Sequence, residues 1–135
     1  MKHLPANLLF CLILLTPALS CRKDTQTPVP VPARTVRYIL YTQKDFSGEN
    51  GLITFELTMK NGSRVLFDSS FAPMKISEIP GKTKPIVVDK AVPAGNENAD
   101  LVVGFLYSIE NVGNSWYLDT SKAGNPLKTI EYSFE

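Results

Sequence analysis

From Thr35 to Glu135 the chain repeats one pattern: short apolar stretches with a period of two, interrupted at close intervals by turn-forming residues. Ile53, Phe55, Leu57 and Met59 alternate with Thr54, Glu56 and Thr58. Successive strand side chains point to opposite sides, so this stretch reads as a strand with one buried face. Val36, Tyr38 and Leu40 interleave with Arg37, Ile39 and Tyr41, and both faces are apolar enough for a strand between layers. Leu101, Val103, Phe105, Tyr107 and Ile109 form the strongest run and point to a central strand. Ile130, Tyr132 and Phe134 alternate with Thr129, Glu131 and Ser133 to close the chain. Nothing after residue 34 sustains a helical period.

The connections sharpen this reading. Asn61-Gly62 marks a hairpin. A two-residue loop there sets Phe55 opposite Asp68. A three-residue loop, Lys60-Asn61-Gly62 with Gly62 left-handed, pairs Leu57 with Val65 and Phe55 with Phe67. Register follows the buried face, so the three-residue loop is expected. Pro73, Pro80, Pro85 and Pro93 punctuate residues 72–100. Proline confines strands to edges, which predicts short edge strands at Lys75–Ile79 and Pro85–Val92. A polar loop follows over Pro93–Asp100. Asn111-Val112-Gly113-Asn114 turns the chain into a returning strand, Ser115–Asp119, and Lys122–Asn125 turns it again. Seven or so short strands in one domain over residues 35–135 predict an all-β, antiparallel β-sandwich. A chain of this length can bury one core without disulfides.

The first 21 residues carry a different message. A basic start at Met1-Lys2-His3 precedes an apolar run, Leu8–Leu15, and then Ala18-Leu19-Ser20-Cys21. The run is too short to span a bilayer, which takes about 20 residues, and has the layout of a removable export signal over residues 1–20. Ser20-Cys21 resembles the processing box of bacterial lipoproteins, in which the cysteine becomes the lipidated first residue. Ala18 and Leu19 depart from that family's commonest pattern, and Ala18-Leu19-Ser20 also satisfies the small-x-small rule for ordinary secretion. The cysteines favour lipidation: the only other one, Cys11, lies in the discarded segment. The resemblance implies membrane attachment through acyl chains on Cys21, each buried CH₂ contributing about 0.8 kcal/mol, and residence in the cell envelope at the outer membrane. Arg22-Lys23-Asp24 resembles the charged stretch that directs many Bacteroidota lipoproteins to the cell surface, and reads equally well as a solvated tether. Thr27-Pro28-Val29-Pro30-Val31-Pro32 then supplies a stiff spacer, so that residues 22–34 extend up to about 40 Å.

With the lipidated cysteine, the proline spacer, a Tyr-rich first strand and a terminal Ile-Glu-Tyr-Ser-Phe strand in place, residues 35–135 resemble the small immunoglobulin-like or transthyretin-like sandwiches of many Bacteroidota lipoproteins. The resemblance implies place and shape rather than chemistry. The Cys…Trp…Cys framework of antibody domains is missing.

Composition narrows the chemistry. Once the export segment is gone, neither histidine nor a second cysteine remains. That removes His-dependent triads, Cys–His dyads and His/Cys zinc sites. Thirteen basic residues then face 13 acidic ones, with none of the basic stripes that nucleic-acid binders show. Asp89, Asp100, Glu110 and Asp119 are carboxylates of the kind that hydrolyse glycosides in pairs, although strand-end carboxylates are ordinarily solvated charges. Asn96-Glu97-Asn98-Ala99-Asp100 offers oxygen ligands suited to calcium without the spacing of a calcium loop, and such residues are common in loops. Trp116 and Tyr117 point to opposite faces of their strand, so each is either a core plug or an exposed binding platform. Tyr41 is expected to be exposed. The sequence therefore points to a non-enzymatic binding or assembly module without catalytic residues, metal or cofactor. It is held at a membrane by Cys21, with an envelope protein or a glycan as partner and Trp116, Tyr117 and Tyr41 as candidate contacts. A structural accessory subunit of an envelope complex is the alternative; a hydrolase ranks below both.

Overall fold

A computed structural model describes residues 33–135. The export segment, Cys21 and the spacer up to Pro32 lie outside the described residues. The elements in order are β1 (Thr35–Thr42), β2 (Leu52–Asn61), β3 (Arg64–Ser70), β4 (Met74–Lys75), a 3₁₀ turn (Ile76–Glu78), β5 (Ile86–Ala91), β6 (Leu101–Ile109), β7 (Gly113–Ser121) and β8 (Leu127–Phe134). The described residues hold no α-helix, and no helix among them is long and apolar enough to cross a membrane.

Two sheets pack face to face, as the alternation requires. One has the order β5-β1-β8; the other runs β3-β2-β6-β7, with β4 pairing beside β3 on β2. The core collects the residues that the period-two pattern put inside: Val36, Tyr38 and Leu40 from β1, Ile53 to Met59 at alternate positions of β2, Leu101, Val103 and Phe105 from β6, and Ile130 and Phe134 from β8. β6 is central, paired antiparallel with β2 on one side and β7 on the other. One pair departs from antiparallel order. β1 and β8, the first and last strands, run parallel, with Thr35 beside Leu127 and Thr42 beside Phe134. Parallel neighbours cannot be joined by a tight turn; here the rest of the domain forms the connection.

Three local expectations need correction. The β2–β3 turn has two residues, Gly62 and Ser63, flanked by the Asn61–Arg64 pair, with Gly62 at φ +57°. Positive φ at the first loop position is what glycine allows in a hairpin. A bulge then sets Val65 opposite Lys60 but Phe67 opposite Met59, leaving Leu66 as the extra residue, and Leu57 faces Ser69 instead of Val65. Leu66 and Phe67, although consecutive, consequently both pack against the core. An unbroken register would bury only one of them.

The strand expected over Lys75–Ile79 ends at Lys75. Ile76 and Ile79 are both buried, and their spacing of three matches the repeat of a 3₁₀ turn rather than a strand. The Glu78 carboxylate accepts the Lys75 backbone N–H at 3.0 Å, and the Ile79 N–H donates to the Ile76 carbonyl, closing the turn.

The third correction concerns Arg34, read from the sequence as the last spacer residue. It is 3% exposed. Its guanidinium donates from Nη1 to the carbonyls of Asn96, Glu97 and Ala99, and from Nη2 to the carbonyls of Ser121 and Lys122 and the Ser121 hydroxyl, at 2.7 to 3.1 Å. The four N–H groups on Nη1 and Nη2 of this planar cation are shared among the six convergent oxygens, while the buried Nε has no partner among the described residues. Arg34 thereby fastens the start of β1 to the loops on either side of β6 and β7.

Candidate binding face on the five-stranded sheet

The outer face of the five-stranded sheet is set by register. Ser70, Glu56, Leu106 and Trp116 stand side by side across β3, β2, β6 and β7. One step along the strands, Thr54, Ser108 and Asn114 form the adjacent row. These two rows line a shallow groove of about 310 Å³. Its floor is apolar at Leu106 and Trp116; hydroxyls, one amide and one carboxylate surround it. The polar positions of β2 that alternate with its core residues thus form one flank of the site.

Trp116 is 69% exposed. The indole takes no part in the core, where aromatic rings instead contact one another: Tyr38 meets Phe105 edge-on, Phe105 and Tyr107 lie against Tyr132, and Phe134 meets Phe55 and Tyr107. Its exposure follows from period two: Trp116 and Leu118 occupy the outward positions of β7, and the other sheet packs only on the inward ones. Eight of the nine β7 residues are exposed, Ser121 being the exception.

Gly104 holds β7 close. A Cβ at this position would sit 2.0 Å from the Tyr117 carbonyl oxygen and 2.9 Å from the Leu118 Cα. Only glycine permits that approach. The close contact of β6 with β7 fixes where the indole stands relative to Leu106.

The other expected contacts lie elsewhere. Tyr117 points inward and stacks on Tyr132, with ring centroids 4.9 Å apart and planes inclined by 19°, yet keeps 40% of its surface exposed. Tyr41, expected to be exposed, is 5% exposed. It lies on β1 in the opposite sheet, its hydroxyl donating to Glu131 Oε1 at 2.9 Å and its ring covered by the Lys82 ammonium 5.5 Å from the centroid. The Thr42 N–H donates to the Pro80 carbonyl and so brings this covering turn alongside β1. The hydrogen bond to Glu131, ahead of burial, raises the Tyr41 phenol above its ordinary pKa. Tyr41 is therefore no surface contact, and the three aromatics share no common face.

Three of the four carboxylates considered for hydrolysis, Asp89, Asp100 and Asp119, are dispersed and each paired with a basic residue. Asp89 accepts two hydrogen bonds from Arg37 on the three-stranded sheet. Asp100 binds Lys122 and the Ala123 N–H. Asp119 binds Lys128 and the Thr120 N–H. The side-chain hydrogen bond from the basic partner is in each case the first cause holding the carboxyl below its ordinary pKa. A general acid at neutral pH requires the opposite shift. In the loop considered for calcium, the carbonyls of Asn96, Glu97 and Ala99 are already occupied by Arg34.

Sequence reasoning singled out Trp116, Tyr117 and Tyr41, of which only Trp116 lines this groove, and passed over Arg34, Gly104 and the polar rows beside the indole. Glu56 and Thr54 were visible as the solvent side of β2. Their meeting with Trp116 depended on the strand order β2-β6-β7, which no local pattern encodes. No family model, curated protein or solved structure matches this chain.

Proposed function

We propose that this chain is a non-enzymatic binding module, held at the cell envelope by acyl chains on Cys21 and presenting the outer face of its five-stranded sheet to a glycan or protein partner. The observation that carries the reading is the exposure of Trp116, a large amphipathic side chain left uncovered over an apolar floor with polar surroundings. Exposed aromatics of this kind concentrate binding energy. The neutralised carboxylates support the non-enzymatic part. Finished with the export segment removed, the protein would sit at the outer membrane on a proline-rich spacer, within an immunoglobulin-like or transthyretin-like family of lipoproteins.

The second reading, an accessory subunit of an envelope complex, is favoured by the edge of β7. This strand pairs only with β6, and an edge strand's outer row of backbone groups can accept a partner's strand.

Two measurements test the proposal. Intact-mass analysis of the protein from its native membrane is expected to show an acyl adduct at Cys21, and an unmodified terminus would refute the anchor. The full chain is expected to capture a partner from envelope extract, with capture lost in Trp116→Ala and kept in Tyr41→Phe. Equal capture by wild type and Trp116→Ala would refute the assigned face.

A further inference from the structure

Resting on that choice of face, we propose that the groove beside Trp116 is a site for a neutral saccharide. The first row sets an indole on β7 and a carboxylate on β2 two strand spacings or about 10 Å apart, with Leu106 between them and the Ser70 hydroxyl beyond the carboxylate on β3. The second row adds the Thr54 and Ser108 hydroxyls and the Asn114 amide within one step along the strands. Among the described residues none of these polar side chains is hydrogen-bonded to the protein. Asp89, Asp100 and Asp119, by contrast, are each satisfied by a basic residue. The groove thus concentrates free donors and acceptors around an apolar floor.

That distribution selects a ligand with one apolar face and a rim of hydroxyls. A pyranose ring meets it: the C–H face lies on the indole and Leu106, and the hydroxyls exchange hydrogen bonds with carboxylate, amide and hydroxyl groups. Glu56 is the one ionisable side chain in the two rows. Its charge disfavours phosphates and uronates by direct repulsion, and its carboxylate accepts from hydroxyl groups more strongly than a neutral acceptor does. A lone surface carboxylate attracts cations only weakly, so the five hydrogen-bonding groups decide the class. The open, shallow shape suits a stretch of an extended polysaccharide lying along the sheet.

Trp116 is the only tryptophan in the chain, so its fluorescence reports the site directly. Full-length protein is titrated with neutral oligosaccharides of the glucan, xylan, mannan and chitin types, with oligogalacturonate, and with choline and an oligolysine peptide, each up to about 10 mM, where weak binding is still measurable. The expected result is a saturable blue shift with at least one neutral oligosaccharide. Glu56→Gln is expected to weaken that response about tenfold, a difference of about 1.4 kcal/mol, and Trp116→Ala to abolish binding measured by calorimetry, with unchanged thermal melting in both variants. Saturation by oligogalacturonate, choline or oligolysine without response to any neutral sugar would overturn the assignment, as would silence across the whole panel or a sugar response indifferent to Glu56→Gln. If the sugars fail while Trp116-dependent capture of an envelope protein persists, the saccharide assignment falls and the binding face stands. If both fail, the face falls too.

Discussion

At the scale of single residues, Arg34 does more than its place next to a spacer suggests. Its six hydrogen bonds reach five backbone carbonyls and the Ser121 hydroxyl, joining two loops and the end of β7. Removing the guanidinium withdraws the donor from the Ala99 carbonyl and the Ser121 hydroxyl, while the carbonyls of Asn96, Glu97 and Lys122 keep backbone N–H donors; each buried acceptor left unpaired costs about 1–3 kcal/mol where water cannot replace the donor. Arg34→Ala is expected to lose about 3 kcal/mol and to lower the melting temperature by more than about 10 °C. Arg34→Lys recovers only part, since an ammonium has three donors and no planar fork. Thermal melts followed by circular dichroism check this; a fully stable Arg34→Ala variant would mean that water replaces the cation without cost. In sequence, Arg34 looks like any charged residue after a proline run. Its partners are backbone carbonyls more than 60 residues away, and a carbonyl leaves no trace in residue identity.

Among the elements, β7 shows most clearly what alternation can and cannot convey. The period of two fixed correctly that Trp116 and Tyr117 face opposite ways, and the burial of Ile53, Phe55, Leu57 and Met59 on one side of β2. It could not say that β7 is an edge strand, because edge position depends on which strands pair, and that is a long-range outcome. The β2–β3 register failed for a related reason: a bulge shifts pairing by one residue and is paid for by the packing of Leu66 and Phe67 together. The turn at Ile76–Glu78 was read as a strand; the spacing of three between the buried Ile76 and Ile79 was the signal it left. The seating of β7 on β6 yields a prediction at this scale. Gly104→Ala forces a methyl group into the β7 backbone, and two backbone contacts cannot relax by a rotamer change. The expected cost is about 2–4 kcal/mol, together with a change in Trp116 emission as the strand shifts. Gly113→Ala meets no neighbour within 4 Å but sits at φ +134°; its smaller expected loss separates backbone strain from the clash.

For the whole molecule, the titratable groups set the pH range of the fold. Asp45, Asp89, Glu97, Asp100 and Asp119 all have folded pKa values below their ordinary ones. A depressed carboxyl contributes stability that is present above its unfolded pKa, about 4, and lost as pH falls through the folded value. These groups are exposed, so each contributes little. Residues 34–135 contain neither histidine nor cysteine, the side chains whose ordinary pKa values lie nearest neutrality. The melting temperature is therefore expected to stay level from about pH 5.5 to 8.5 and to decline gradually below about pH 4. A sharp transition between pH 6 and 7 would contradict this account.

The parallel pairing of the first and last strands has a mechanical consequence. Thr35 lies beside Leu127, and Thr42 beside Phe134, so force drawn through the two chain ends pulls neighbouring strands along their length in opposite directions. Their ladder is loaded in shear, and its bonds must give way together rather than peel apart one at a time. A body built this way resists being stretched from its termini.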